Sequence, residues 1–265
     1  MYTDIDFVNV DFIPDGAAYI DRWEEDGHAH REQEAATGRA RLNVSYGPGE
    51  RNKLDIFHPA GRPEGLVVFV HGGYWMRFDR GYWSHFAKGL TVRGWAVAMP
   101  SYTLAPEARI RDMTLEMARA VEAAGELVAG PICLTGHSAG GHLVARLGCR
   151  DVALKAEVRE RVERIVPISP LTDLRAFLPI SMNETLGLDD SEAAGESPVL
   201  HEAPDALVTV WVGAEERPVF LDQAMALRDA WSCELRVDPG RHHFDVIDGL
   251  RSAESPLVAD ILRGM

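Results

Sequence analysis

Gly136-His137-Ser138-Ala139-Gly140-Gly141 sets one serine among glycines, directly after the apolar run Ile132-Cys133-Leu134-Thr135. A Gly-x-Ser-x-Gly pattern between a buried strand and a helix start has the form of a nucleophile elbow. The serine sits on a strained turn with its hydroxyl forward, and the glycines let the two backbone segments approach closely. Such a residue can attack a carbonyl and form an acyl-enzyme. A serine hydroxyl is a weak nucleophile alone, so this chemistry needs a proton acceptor, a group to orient that acceptor, and donors for the developing oxyanion.

Donors are expected at His71-Gly72-Gly73-Tyr74-Trp75, straight after Leu66-Val67-Val68-Phe69-Val70. Five consecutive apolar residues of largely β-branched type predict a strand buried on both faces, hence a parallel sheet. Gly72 and Gly73 can then turn their N–H groups toward an oxyanion, joined by the N–H of Ala139 behind the nucleophile. His71 is expected to hold the loop's shape. An elbow of this kind is followed along the chain by an acid and then a histidine. Only His242 and His243 stand late enough, after Cys233-Glu234-Leu235-Arg236-Val237 and the turn Asp238-Pro239-Gly240. His243 is the chosen base, with His242 as the alternative; an imidazole titrating near neutrality suits proton transfer from Ser138. The acid should follow Leu207-Val208-Thr209-Val210-Trp211-Val212. Glu216, three residues after the strand-ending Gly213, is the expected orienting carboxylate, and Glu215 and Asp222 are the alternatives.

His71-Gly72-Gly73-Tyr74-Trp75, Gly136-His137-Ser138-Ala139-Gly140-Gly141-His142-Leu143 and His243-Phe244-Asp245-Val246-Ile247 together resemble the α/β-hydrolase kynurenine formamidases, or arylformamidases, and their esterase-like relatives. Ser101-Tyr102-Thr103-Leu104-Ala105-Pro106-Glu107 is similar to a segment of hormone-sensitive-lipase-like esterases, and Asn183-Glu184-Thr185-Leu186-Gly187-Leu188 also resembles the group. The likeness runs from about Asn43 to Leu262. It implies an α/β-hydrolase fold and hydrolysis of an aryl formamide such as N-formylkynurenine, through Ser138, Glu216 and His243. The same chemistry on small acyl or aryl esters is the alternative, and a non-catalytic binding protein on this fold is a third. Glu216 departs from the family, which is expected to carry aspartate there. Tyr74 and Trp75, beside the oxyanion loop, are expected to contact an aromatic substrate.

Around these residues, apolar segments alternate between strand and helix character as in βαβ units, which predicts a mostly parallel central sheet with helices on both faces. Leu54-Asp55-Ile56-Phe57 is expected to start an antiparallel edge, and Trp95–Met99 and Val162–Ser169 to be further strands. Helices are expected over Tyr82–Arg93, Ile110–Val128, Gly141–Leu147, Val219–Trp231 and Pro256–Arg263, the second burying Met113, Leu115, Met117 and Val121. Residues 1–42 and 171–204 fall outside the alternation and are expected to form a small cap on one domain spanning 1–265.

The 265 residues suit one large α/β domain, and no linker or repeat divides them. Asp and Glu number 41 against 27 Lys and Arg, a formal net charge of −14, and this balance argues against nucleic-acid or anionic-membrane partners. The expected partner is a small-molecule substrate, with homo-oligomerisation left open. The start lacks a basic-then-apolar leader and no run nears a membrane span, so a cytoplasmic location is expected. Cys133, Cys149 and Cys233 cannot all pair and are expected as reduced thiols. Neither HExxH nor CxxC occurs, and no metal or cofactor is expected.

Overall fold

The apolar runs pair into one eight-stranded sheet in the computed structural model, which describes residues 2–265. The strands are β1 Ala40–Ser45, β2 Lys53–Phe57, β3 Leu66–Val70, β4 Ala96–Pro100, β5 Ile132–His137, β6 Val162–Ile168, β7 Leu207–Gly213 and β8 Glu234–Asp238. Their order across the sheet is β1-β2-β4-β3-β5-β6-β7-β8. β2 runs antiparallel to both β1 and β4, and every other pairing is parallel. Alternation of side chains across the pleat assigns the core to two faces. Val68 and Leu134 pack on one side with Met113, Val121 and Leu143. Val67, Phe69 and Cys133 pack on the other with Trp83, Phe86, Leu257 and Ile261.

The helices are α1 Gly16–Ala36, α2 Lys88–Val92, α3 Ile110–Leu127, α4 Ala139–Gly148, α5 Ala156–Arg159, α6 Asn183–Leu186, α7 Asp190–Gly195, α8 Pro218–Trp231 and α9 Pro256–Ile261. In α3 the residues Met113, Met117, Val121 and Ala124 recur at three- and four-residue spacing and are buried. Leu115 is 42% exposed, which corrects its place in the expected stripe. Two residues past Met113 is about 200° around a helix, the opposite face. The segment expected as a helix near Tyr82 is a 3-10 helix, Arg80–Ala87, that passes into α2.

Residues 2–42 divide among different parts of the molecule. α1 lies against the Arg80–Ala87 helix, where a Cβ on Gly27 would collide with the Gly81 carbonyl and the Trp23 and Trp83 rings are 4.7 Å apart. Ala40–Leu42 belong to β1, an edge strand that sequence reading missed because its burial alternates between partial and exposed. The start of α1 reaches the turn after β8, where the Tyr19 and His242 rings are 5.3 Å apart, and the stretch before α1 reaches the segment 171–204. There the Asp4 carboxylate accepts from the Ser181 N–H and hydroxyl, and the Phe7 and Phe177 rings are 4.6 Å apart. No helix among the described residues is long and apolar enough to cross a membrane.

His85 lies in the core with both ring nitrogens lacking a partner among the described residues, and burial pushes its pKa down to about 3. Burial likewise depresses His71 to about 4. A folded pKa below the unfolded value of about 6.5 means that the unfolded chain takes up the proton first. The neutral ring therefore costs no proton-linked stability above about pH 6.5, and stability is lost as pH falls from there toward the folded pKa. For His85 the loss reaches about 2 kcal/mol by about pH 5. His85→Leu should remove both unpartnered nitrogens, raise stability by about 1 kcal/mol near neutrality, and flatten the acid limb of Tm against pH. An unchanged acid limb in this variant would contradict the assignment.

Candidate active site

Register brings the strand ends level at one edge of the sheet: Val70 pairs with Gly136, His137 with Ile168, and Gly213 with Asp238. The connections leaving these strands carry the residues singled out in the sequence, as expected at the carboxyl ends of a parallel sheet.

Between β5 and α4, Ser138 adopts φ 56° and ψ −116°, outside the regions open to ordinary residues. Such a conformation costs roughly 1–3 kcal/mol. The Ser138 N–H donates to the Ile168 carbonyl at 2.8 Å, and its own carbonyl accepts from the His142 N–H at 3.0 Å. The glycines are required by contact: a Cβ on Gly140 would overlap the Val70 carbonyl, and one on Gly136 would lie 2.8 Å from the same oxygen. Ser138 is 3% exposed. Its hydroxyl has no hydrogen-bond partner among the described residues, and yet it is not among the side-chain atoms sealed from solvent.

After β3 the chain passes His71 and Gly72 and then takes three successive positive φ values, 110° at Gly73, 52° at Tyr74 and 59° at Trp75. A Cβ on Gly72 would lie 3.2 Å from the Ser138 Cβ, so this loop runs against the nucleophile turn. The N–H groups of Gly72 and Gly73 donate to nothing among the described residues. Ala139 is the first residue of α4, whose N–H has no partner within a helix. His71 donates from Nδ1 to the Gly72 carbonyl at 2.8 Å and stacks on Tyr102 with centroids 4.4 Å apart. Burial holds this imidazole neutral, which fits a loop-shaping residue.

Glu216 and His243 meet from the turns after β7 and β8. His243 donates from Nδ1 to Glu216 Oε2 at 2.6 Å, with the Glu216 side chain fully buried. The other carboxylate oxygen accepts from the Gly213 N–H at 2.8 Å and from the Ser169 hydroxyl. That leaves His243 Nε2 as the acceptor nitrogen, without a protein partner among the described residues. The His243 carbonyl accepts from His137 Nε2 at 2.8 Å, and the ring packs 4.0 Å from Phe220. The alternatives are placed elsewhere. Glu215 is exposed. Asp222 accepts from the Tyr2 hydroxyl at 2.8 Å on the outside of α8. His242 turns Nδ1 to the N–H groups of Phe244 and Asp245, at 3.1 and 3.2 Å, and Nε2 to the Tyr19 hydroxyl at 3.3 Å.

The pattern at the strand ends has counterparts among known proteins. Residues 67–190 match the model of an α/β-hydrolase fold family. A crystal structure of a candidate thioesterase from Silicibacter sp. TM1040 superposes with a TM-score of 0.95 at 50% identity, covering 97% of this chain and 98% of that one. The chain is an α/β-hydrolase of the formamidase and esterase group. The kynurenine formamidase of Salmo salar is 27% identical over 250 residues, 88% of this chain and 85% of that protein. Esterase B of Lactobacillus rhamnosis shares the fold, with a TM-score of 0.65 at 19% identity over 91% of each chain.

Two site residues of this hydrolase escaped sequence reading. Ser169, which directly follows β6 at φ 47°, reaches Glu216 from a neighbouring strand, and only its place at a strand end could have flagged it. Phe220 lies one turn into α8 and bears on the His243 ring. Tyr74 is partly buried, with its hydroxyl donating to the Phe7 carbonyl at 2.6 Å and accepting from Asn9 at 3.3 Å. Trp75 differs from expectation. It is fully buried between His142 and Phe177, so its surface is used in packing and none faces a ligand. All three cysteines are free thiols. Cys149, Asp151 and His201 converge to within 4.8 Å, but the Arg146 guanidinium already donates to both Asp151 oxygens, at 3.1 and 2.8 Å.

Proposed function

We propose that the protein is a serine hydrolase that cleaves an aryl formamide, such as N-formylkynurenine, to formate and the free amine. The observation that carries the reading is the buried Glu216–His243 pair, packed against His137, the residue that precedes a strained, unpartnered Ser138. In this reaction Ser138 Oγ attacks the formyl carbon and His243 Nε2 takes the hydroxyl proton. Apo geometry of this kind tightens once substrate is bound. The N–H groups of Gly72, Gly73 and Ala139 receive the oxyanion, aided by the N-terminus of α4. Collapse expels the arylamine, which takes the proton from His243, and leaves formyl-Ser138. Water, deprotonated by the same nitrogen, then releases formate. Glu216 keeps the Nδ1–H tautomer and stabilises the imidazolium that forms at each step.

Two observations favour the formamide. The kynurenine formamidases of Salmo salar and Drosophila melanogaster align over most of their length. Ser138 is almost wholly covered and Phe220 packs on the ring of His243, its proposed base, which suits an acyl group as small as formyl. Residues 2–12 and 171–204 would cover the aryl part, with Tyr74 as one wall, in an enzyme that works in the cytoplasm on a small molecule without metal or cofactor. The 50% identical candidate thioesterase supports a second reading, hydrolysis of short acyl esters or thioesters by the same residues. Comparing kcat/KM for N-formylkynurenine, p-nitrophenyl acetate and butyrate, and a short acyl thioester separates the two. The formamide should be the best of the four, and turnover about a thousandfold below the ester or thioester would sink the formamidase reading while leaving the mechanism standing.

A further inference from the structure

His142 stands one helical turn after Ser138, and the two are linked through the backbone by the His142 N–H and the Ser138 carbonyl. Its ring is completely buried and both nitrogens are used. Trp75 Nε1 donates to His142 Nδ1 at 3.3 Å, with the two rings edge to face at 5.2 Å. His142 Nε2 donates to the Glu196 carbonyl at 2.7 Å. Glu196 is itself anchored, its carboxylate accepting from Thr114 at 2.7 Å and Arg146 at 3.3 Å. The imidazole thus joins three parts of the molecule: the helix that presents the nucleophile, the loop that follows β3, and the segment 171–204.

That loop needs an anchor. Tyr74 and Trp75 hold left-handed backbone conformations that side-chain-bearing residues rarely adopt, and such conformations persist only where surroundings over-determine them. The Gly73 carbonyl accepts from the N–H groups of Met76 and Arg77, both at 3.0 Å, and the Trp75 carbonyl from Ala105 at 2.9 Å. Those bonds fix the loop's far side. The indole–imidazole bond ties it to the nucleophile helix.

We propose that His142 is a positioning residue for the oxyanion loop: by accepting from Trp75 and donating to Glu196 as a neutral ring, it sets Gly72 and Gly73 at their working distance from Ser138. The role rests on the serine-hydrolase reading above. It requires the Nε2–H tautomer, because an imidazolium would turn an N–H toward the indole N–H and break the link. Burial meets this requirement by pushing the pKa down to about 3.

His142→Phe should lower kcat about 10- to 100-fold, less than loss of a direct oxyanion donor, with KM changed less than about threefold. His142→Gln offers one acceptor and one donor and should restore kcat to within about fivefold of wild type. Trp75→Phe should match His142→Phe, and the double variant should be no worse than either single change. The pH midpoint of kcat should stay unchanged, since His243 is untouched. A His142→Phe kcat within twofold of wild type, no rescue by glutamine in a folded protein, or fully additive losses would each overturn the proposal. Nitrogen-15 NMR of the wild-type imidazoles supplies a readout that does not depend on variants folding: His142 should be neutral and protonated at Nε2 at about pH 5, and a charged or Nδ1–H ring overturns it. Failure of the wild-type enzyme to turn over any acyl substrate would instead refute the hydrolase reading, and the NMR result would still decide whether the link exists.

Discussion

Ser138→Ala should abolish turnover of formamides, esters and thioesters alike, with kcat reduced about 10⁵- to 10⁶-fold, while the protein stays folded with an equal or higher Tm. The two halves of this result have separate causes. Activity is lost because the variant removes the hydroxyl that would attack the acyl carbon, and the loop carrying Gly72, the neighbour of the Ser138 turn, is left with no nucleophile to serve. Stability is kept because the hydroxyl makes no hydrogen bond among the described residues, so removing it deletes no contact. Alanine inherits the same φ of 56°, and the strain of the turn is unchanged. A phosphonate probe should label wild type once per chain and leave Ser138→Ala unlabelled. Labelling that survives the substitution, or residual activity above about a hundredth of wild type, would place the nucleophile elsewhere.

The elbow was legible because its constraints are local. Glycines at 136, 140 and 141 around one serine, after a run of apolar residues, leave few conformations other than a tight strand-to-helix turn. The strands β3 and β5 were legible for a related reason: burial on both faces demands continuous apolar sequence. β1 was not, since an edge strand with partial burial mixes Arg41, Asn43 and Ser45 with apolar residues and resembles a loop. Leu115 shows the limit of composition within a correctly located helix, where the face depends on spacing and not on residue type. Glu216 could be singled out by its distance from Gly213, but its second partner could not, because Ser169 is 47 residues away and becomes a neighbour only through the pairing of β6 with β7. Trp75 was misjudged for the opposite reason. Proximity in sequence to Gly72 and Gly73 suggested an exposed contact, whereas its positive φ turns the indole inward onto His142 and Phe177.

Glu216→Gln should reduce kcat about 10⁴-fold with little change in KM, a larger effect than the near-identity of the two side chains suggests. The structure fixes which way the amide must face. Glu216 Oε1 accepts from the Gly213 N–H, a donor that cannot turn round, so the glutamine carbonyl oxygen must take that place. The amide nitrogen then faces His243 Nδ1, where the carboxylate accepted at 2.6 Å. Two donors cannot share one hydrogen bond, and His243 must move its proton to Nε2, the nitrogen that should accept from Ser138. The ring becomes a poor base in a nearly unchanged structure. Glu216→Asp tests the same geometry by length: one methylene shorter, it cannot span from the Gly213 N–H to His243 without backbone movement. It should retain more activity than glutamine because it still selects the correct tautomer. Glutamine retaining more activity than aspartate would mean that Glu216 acts by packing and not by orienting His243, and the acid would then have to be sought among other carboxylates.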